Sequence, residues 1–146
     1  MTPKTIVPCS KNDMDFIYEI DKTSSSYHWT QRMFLDELDK KNSFFNVLIE
    51  NKTIVGYIIY NIIFDEAEIL NIVIDDKFKG RKYATYLLQK TFDDMIKKDI
   101  KTVFLEVGQN NIAAINMYLK FGFTKYNTRL NYYRNGENAV LMKRSL

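Results

Sequence analysis

Apolar positions along this chain switch between a period of two and a period of three to four, and each switch marks the border of an element. Thr5-Ile6-Val7 is a short apolar run closed by Pro8, which cannot donate to a ladder, so it reads as a strand at a sheet edge. Asn12 or Asp13 can cap a helix carrying Met14, Phe16, Ile17 and Ile20 and ending near Lys22. The polar stretch Thr23-Ser24-Ser25-Ser26 forms a loop to His28-Trp29, and Thr30 is placed to cap a helix with Met33, Phe34, Leu35 and Leu38. Phe44 to Ile49 and Ile54 to Ile63 are β-branched and aromatic runs joined by Glu50-Asn51-Lys52-Thr53, an antiparallel hairpin. Asp65-Glu66-Ala67 then turns the chain into a strand from Glu68 to Asp75, apolar at nearly every position from Ile69 to Ile74, as expected of a central strand covered on both faces.

From Arg81 to Lys98 the residues Tyr83, Ala84, Leu87, Leu88, Phe92, Met95 and Ile96 recur at helical spacing, and Lys97-Lys98 suits the negative end of that helix. Thr102 to Val107 is another apolar strand. Because it follows a strand and a long helix, it should lie parallel to the strand ending at Asp75. Asn111 to Phe121 is a further helix stopped by Gly122, and Phe123 to Tyr133 with Ala139 to Lys143 reads as a last hairpin around Asn135-Gly136. The sum is an α/β fold in one domain over residues 1–146: a mixed central sheet of about six to seven strands with a parallel central pair, flanked by about four helices.

Composition narrows the partners. With 46% hydrophobic, 27% charged and 14% aromatic residues the chain is ordinary globular material. A net charge of +3, with the basic residues scattered, does not indicate a nucleic-acid surface, though an anionic cofactor would account for it. The single Cys9 excludes an internal disulfide, and one His leaves little material for a metal site, so no metal is expected. No positively charged segment followed by an apolar core opens the chain, and the expectation is a cytoplasmic protein without membrane contact.

Ligands in open α/β sheets bind where neighbouring parallel strands part at their carboxyl ends, here Ile74-Asp75 and Glu106-Val107. The loop Phe78-Lys79-Gly80-Arg81-Lys82-Tyr83-Ala84 follows the first of these and opens a helix, so its N–H groups with three nearby cations can take a phosphate; a merely solvated charged face is the competing reading. Glu106, inside Val103-Phe104-Leu105-Glu106-Val107, is either a partly desolvated base or a strand-end carboxylate facing water. Tyr118 shares a helical face with Ala114 and Ile115 and, on the residues alone, is a core aromatic.

These segments together resemble the GCN5-related N-acetyltransferase (GNAT) superfamily, and more closely the bacterial ribosomal-protein S18 alanine N-acetyltransferases. The resemblance covers nearly the whole chain. It is carried by Asp65-Glu66-Ala67, Asn71-Ile72-Val73-Ile74-Asp75, Leu105-Glu106-Val107, Asn111 with Ala113-Ala114-Ile115 and Tyr118, Phe121-Gly122-Phe123, Arg129, Asn131-Tyr132-Tyr133 and His28-Trp29-Thr30. It implies acetyl-coenzyme A as co-substrate, Glu106 as general base and Tyr118 as general acid. The backbone of Ile72, Val73 and Ile74 would pair with the pantetheine arm. Lys79, Gly80, Arg81, Lys82, Tyr83, Ala84 and Thr85 would cradle the pyrophosphate, with Asn111 touching the cofactor from the next helix. Trp29, Tyr132 and Tyr133 are candidates for the groove of a protein or peptide N-terminus, a ribosomal protein among them, in a monomer or weak dimer. One position departs from the pattern: Lys82 stands where the family's phosphate loop has glycine. A lysine side chain or small amine as acceptor stays open, as does a GNAT-like binding module without catalysis.

Overall fold

The computed structural model describes residues 3–146. Strands β1 (Lys4–Pro8), β2 (Ser43–Glu50), β3 (Thr53–Ile63) and β4 (Glu66–Ile74) follow one another antiparallel. Strand β5 (Thr102–Gly108) runs parallel to β4, β7 (Ala139–Ser145) antiparallel to β5, and β6 (Thr124–Arg129) lies outermost. The result is a seven-stranded mixed sheet in the order β1-β2-β3-β4-β5-β7-β6. Pro8, which lacks a donor, sits on the edge strand as its chemistry requires.

Helices cover both faces. On one, α1 (Met14–Ser24) and α2 (Gln31–Asp39) bury Ile17, Ile20 and Phe34 against Phe45, Val47, Tyr57 and Ile59. On the other, α3 (Tyr83–Lys97) and α4 (Ile112–Lys120) bury Leu87, Phe92, Ile115 and Tyr118 against Ile58, Ile69, Val103 and Leu105. Strand β3 is buried on both sides from Val55 to Tyr60, which is why its sequence is apolar without alternation. Thr30 caps α2 by accepting the Met33 N–H at 3.1 Å. Asp13 precedes α1 without a side-chain cap bond; its carboxylate instead takes the Ser10 N–H at 2.9 Å.

Strand β4 carries the irregularity on which the site depends. Its register with β3 slips between Ile59 and Tyr60, which face Asn71 and Ile69, so Leu70 is an extra residue. The bulge resets the alternation: Ile69 and Ile74, an odd number of positions apart, both face α3. Pairing of β4 with β5 stops at Ile69↔Leu105, although β4 runs on to Ile74 and β5 to Gly108. The two parallel strands therefore part, leaving an open seam.

Three boundaries differ from the sequence expectations. Helix α3 begins at Tyr83 rather than Arg81, because Lys82 adopts left-handed backbone (φ 64) at the N-cap. Strand β4 begins at Glu66, paired with Ile63, so the turn closes tightly through Phe64 at φ 56. Strand β6 ends at Arg129, and the segment to Asn138 is a loop with Asn131 left-handed, so Tyr132 and Tyr133 lie in that loop rather than in a strand.

Candidate active site

Beyond the bulge, the free edge of β4 has a definite polarity. Asp75 N–H bonds the Val55 carbonyl at 2.9 Å, and ladder alternation then turns the N–H and C=O of Val73 and Asn71 toward β3. The main-chain groups of Ile72 and Ile74 face the seam. A cleft of about 700 Å³ fills that seam, floored by β4 and β5 and closed by the start of α3, by α4 and by the loops before α2 and after β6.

At one end of the cleft lies the loop before α3. Gly80 takes φ 81 and Lys82 φ 64, so the backbone coils to present the first amides of α3, and both residues line the cleft. The Tyr83 hydroxyl donates to Glu50, tying the helix start to the β2–β3 hairpin. Of the three loop cations, Lys79 is engaged: its ammonium lies 2.6 Å from Asp76 and 3.2 Å from the Ser24 carbonyl, pinning the loop to the end of α1. The Arg81 guanidinium sits 5.7 Å from the Phe78 ring centroid. Arg81 and Thr85 do not line the cleft, whereas Ala84 does. Asn111 lines it while capping α4, its Oδ1 taking the Ala114 N–H at 3.2 Å.

At the other end, Glu106 points to the α1–α2 face of the sheet, opposite to its buried neighbours Leu105 and Val107. The desolvation expected of it is partial: its side chain is 24% exposed, with the Arg129 guanidinium 3.7 Å away. The Glu106 carboxylate beside Tyr132 holds its phenol above its usual range. Glu68, on β4, is also raised, by burial and then by the charge of Glu106. Tyr118 enters from α4 on the opposite face, packed edge-on against Phe123 with centroids 5.6 Å apart. Burial, reinforced by Tyr133, raises its hydroxyl well above the ordinary tyrosine value.

A roof spans this end. The Tyr27 ring stacks on Tyr133 at 3.9 Å, and Tyr133 meets Tyr132 edge-on at 5.1 Å. The Tyr27 hydroxyl donates to Glu137, whose other oxygen takes the Asn110 N–H at 2.6 Å; the two bonds together hold that carboxyl below the usual carboxylate range. Gly108 lies directly beneath, where a Cβ would run into both the Tyr27 hydroxyl and the Glu137 carboxylate. Neither Tyr27 nor Glu137 stands out in the sequence, since their partnership joins loops 110 positions apart.

The Acetyltransferase (GNAT) family profile matches residues 14–123. The chain belongs to the GNAT acetyltransferase family. It is 32% identical over 135 residues to the ribosomal protein bS18-alanine N-acetyltransferase of Haemophilus influenzae, covering 89% of this chain and 90% of that one. To the enzyme of the same name from Escherichia coli K12 it is 28% identical over 141 residues, covering 94% and 95%. The crystal structure of the ribosomal-protein-S18-alanine N-acetyltransferase from Escherichia coli superposes with a TM-score of 0.91 at 27% identity, covering 98% of this chain and 94% of that one.

GNAT enzymes use acetyl-coenzyme A, and the residues present suit it: an unpaired strand edge offers amide donors and acceptors, and a helix start with Lys82 beside it offers a place for phosphate. Lys82 itself is strained where the family has glycine, because a left-handed backbone costs a side-chain-bearing residue about 1–2 kcal/mol. Lys82→Gly should therefore stabilise the protein by about 0.5–1 kcal/mol once glycine's greater unfolded-state freedom is subtracted. A thermal melt should show this as a rise in Tm of about 2–3 °C; a fall would mean that the lysine makes contacts outweighing the strain. Gly108→Ala should cost about 1–3 kcal/mol by overpacking the roof, read by denaturant unfolding, and an unchanged midpoint would show that Tyr27 and Glu137 yield freely.

Proposed function

We propose that this protein transfers the acetyl group of acetyl-coenzyme A to the α-amine of a protein N-terminus, with an S18-type alanine as the favoured acceptor, in the cytoplasm. The observation that carries the proposal is the open seam between β4 and β5, with Glu106 on one face of the sheet and Tyr118 reaching it from the other. The cleft is also polarised. Lys82 and the amides of α3 mark an anion-binding end, while Glu68 and Glu106, with Arg129 beside the latter, line the end that would take an amine. The aromatic roof of Tyr27, Tyr132 and Tyr133 supplies flat surfaces for peptide planes and side chains, which favours a peptide over a small flexible amine.

Acetyl-coenzyme A supplies the acyl carbon as a thioester. The unpaired Ile72 and Ile74 main-chain groups would hold the pantetheine amides, and one of their N–H donors would stabilise the carbonyl oxygen as negative charge grows on it. The Val73 N–H, expected to pair with the pantetheine arm, faces β3 instead, so this donor would come from Ile72 or Ile74. Glu106, directly or through a water, takes a proton from the amine, whose unperturbed pKa of about 8 puts it within reach of a modest base. Tyr118, protonated at neutral pH as an ordinary phenol is, would deliver its proton to the sulfur.

Glu106→Gln should lower kcat by about 10²–10⁴ and Tyr118→Phe by about 10², with coenzyme A affinity unchanged. Full activity of Glu106→Gln would remove the base assignment. A panel containing the first ten residues of S18, other N-termini, lysine peptides and polyamines should rank the S18-type peptide first; a polyamine in that place would overturn the peptide reading.

A further inference from the structure

A short chain of buried hydrogen bonds behind the cleft ends in a polar atom that no protein group satisfies. Asn71 Nδ2 donates to the Tyr57 hydroxyl at 3.2 Å, and that hydroxyl donates to Asp21 Oδ1 at 3.2 Å. Asp21 is completely shielded from solvent, and its Oδ2 takes the Trp29 N–H at 3.0 Å. Burial pushes its pKa up, while the bonds from Trp29 and Tyr57 and the nearby His28 pull it back.

The direction of this chain follows from its buried end. A carboxylate has only acceptors, so Tyr57 must give it the phenolic proton; the Tyr57 oxygen then accepts, and only the amide NH₂ of Asn71 can face it. Asn71 Oδ1 is thereby turned the other way. Among the described residues the one buried side-chain polar atom without a partner is Asn61 Oδ1, so Asn71 Oδ1, which takes no protein hydrogen bond, is open to the cleft that Asn71 lines. Through Tyr57, Asn71 belongs to the α1–α2 face of the sheet, the face to which Glu106 also points. The two residues flank the seam on the same side, from β4 and β5. The pantetheine arm is served by the main-chain edge of Ile72 and Ile74, from which the Asn71 main chain is turned away toward β3.

A neutral primary amine has two hydrogens and one lone pair, so two acceptors suffice to aim the lone pair. We propose that Asn71 Oδ1 is the second acceptor for the attacking amine, with Tyr57 and Asp21 as positioning residues that fix its orientation. The amine reaches this point neutral, its ammonium proton having passed through Glu106 to solvent; as the C–N bond forms and the C–S bond breaks, one further hydrogen passes from nitrogen to Glu106 and the sulfur receives the Tyr118 proton. The other hydrogen stays on nitrogen, bonded to Asn71, and becomes the N–H of the product amide. This inference rests on the acetyl-transfer reading but not on which amine is acetylated.

The test uses wild type, Asn71→Ala, Tyr57→Phe and the double variant, with the S18 peptide or whichever amine the panel ranks first. Asn71→Ala should weaken kcat/KM for the amine about tenfold, the size of one hydrogen bond, and leave the dissociation constant of coenzyme A within twofold. Tyr57→Phe keeps the ring but frees the amide to turn, and should act about threefold in the same parameter. Because both act through one atom, the double variant should be no worse than Asn71→Ala. Wild-type kinetics in Asn71→Ala, or an equal loss of coenzyme A and amine affinity, would overturn the proposal. If a polyamine leads the panel the peptide reading falls, while the Asn71 ratio is still read on that polyamine.

Discussion

The extra residue at Leu70 is the constraint from which the rest of the site follows. A bulge bends its strand and breaks local pairing, and here it coincides with the last β4–β5 pair, Ile69↔Leu105. Without it, Ile69 and Ile74 could not both face α3, and the paired strands would run on to their ends with no main-chain group free between them. With it, five residues of a central strand, Leu70 to Ile74, have no partner on the β5 side. Buried backbone groups are rarely left unsatisfied, so a free edge inside a covered sheet is a demand for a ligand that can complete the ladder. The amide-bearing arm of acetyl-coenzyme A is such a ligand.

Once the seam exists, the protein must hold it open against collapse, and it does so with polar ties rather than with further apolar packing. Asp21 secures the loop before α2 from below, through Trp29, and Glu137 secures it from above, through Tyr27, while also holding the turn after β5. Each carboxylate has more than one donor, which in the case of Asp21 is what allows it to sit away from bulk water. Gly108 permits the upper tie by offering no side chain where the Tyr27 hydroxyl must lie. On the cofactor side Lys79 does similar work, bridging Asp76 and the end of α1, so a cation that the sequence offers for phosphate is used for the framework.

Much of this was legible in the sequence, and the reasons it failed elsewhere are physical. Element types and the parallel pair followed from periodicity, and Glu106 announced itself as a carboxylate inside an apolar strand. Tyr118 did not, because the acid proposed for it and a core aromatic call for the same helical position; only the resemblance points to the former. The bulge was hidden because Ile69 to Ile74 is apolar throughout, and a phase reset leaves no trace in a run without alternation. Lys82 marked its own anomaly as a departure from glycine, but the left-handed backbone behind it, and the later start of α3, are visible only in φ. Asp21 was within reach, since it stands one turn after Ile17 on the buried face of α1. Its partners Tyr57 and Asn71 were not, because hydrogen bonds across separate strands have no local signature.

Amide hydrogen exchange, with and without saturating acetyl-coenzyme A, addresses the seam most directly. The Ile72 and Ile74 amides should exchange readily in the free protein and slow by at least about tenfold on binding, while Val73, already bonded to β3, should change little. Protection of Ile72 and Ile74 in the free protein, or no response there to acetyl-coenzyme A, would contradict the claim that β4 offers its open edge to the acyl donor.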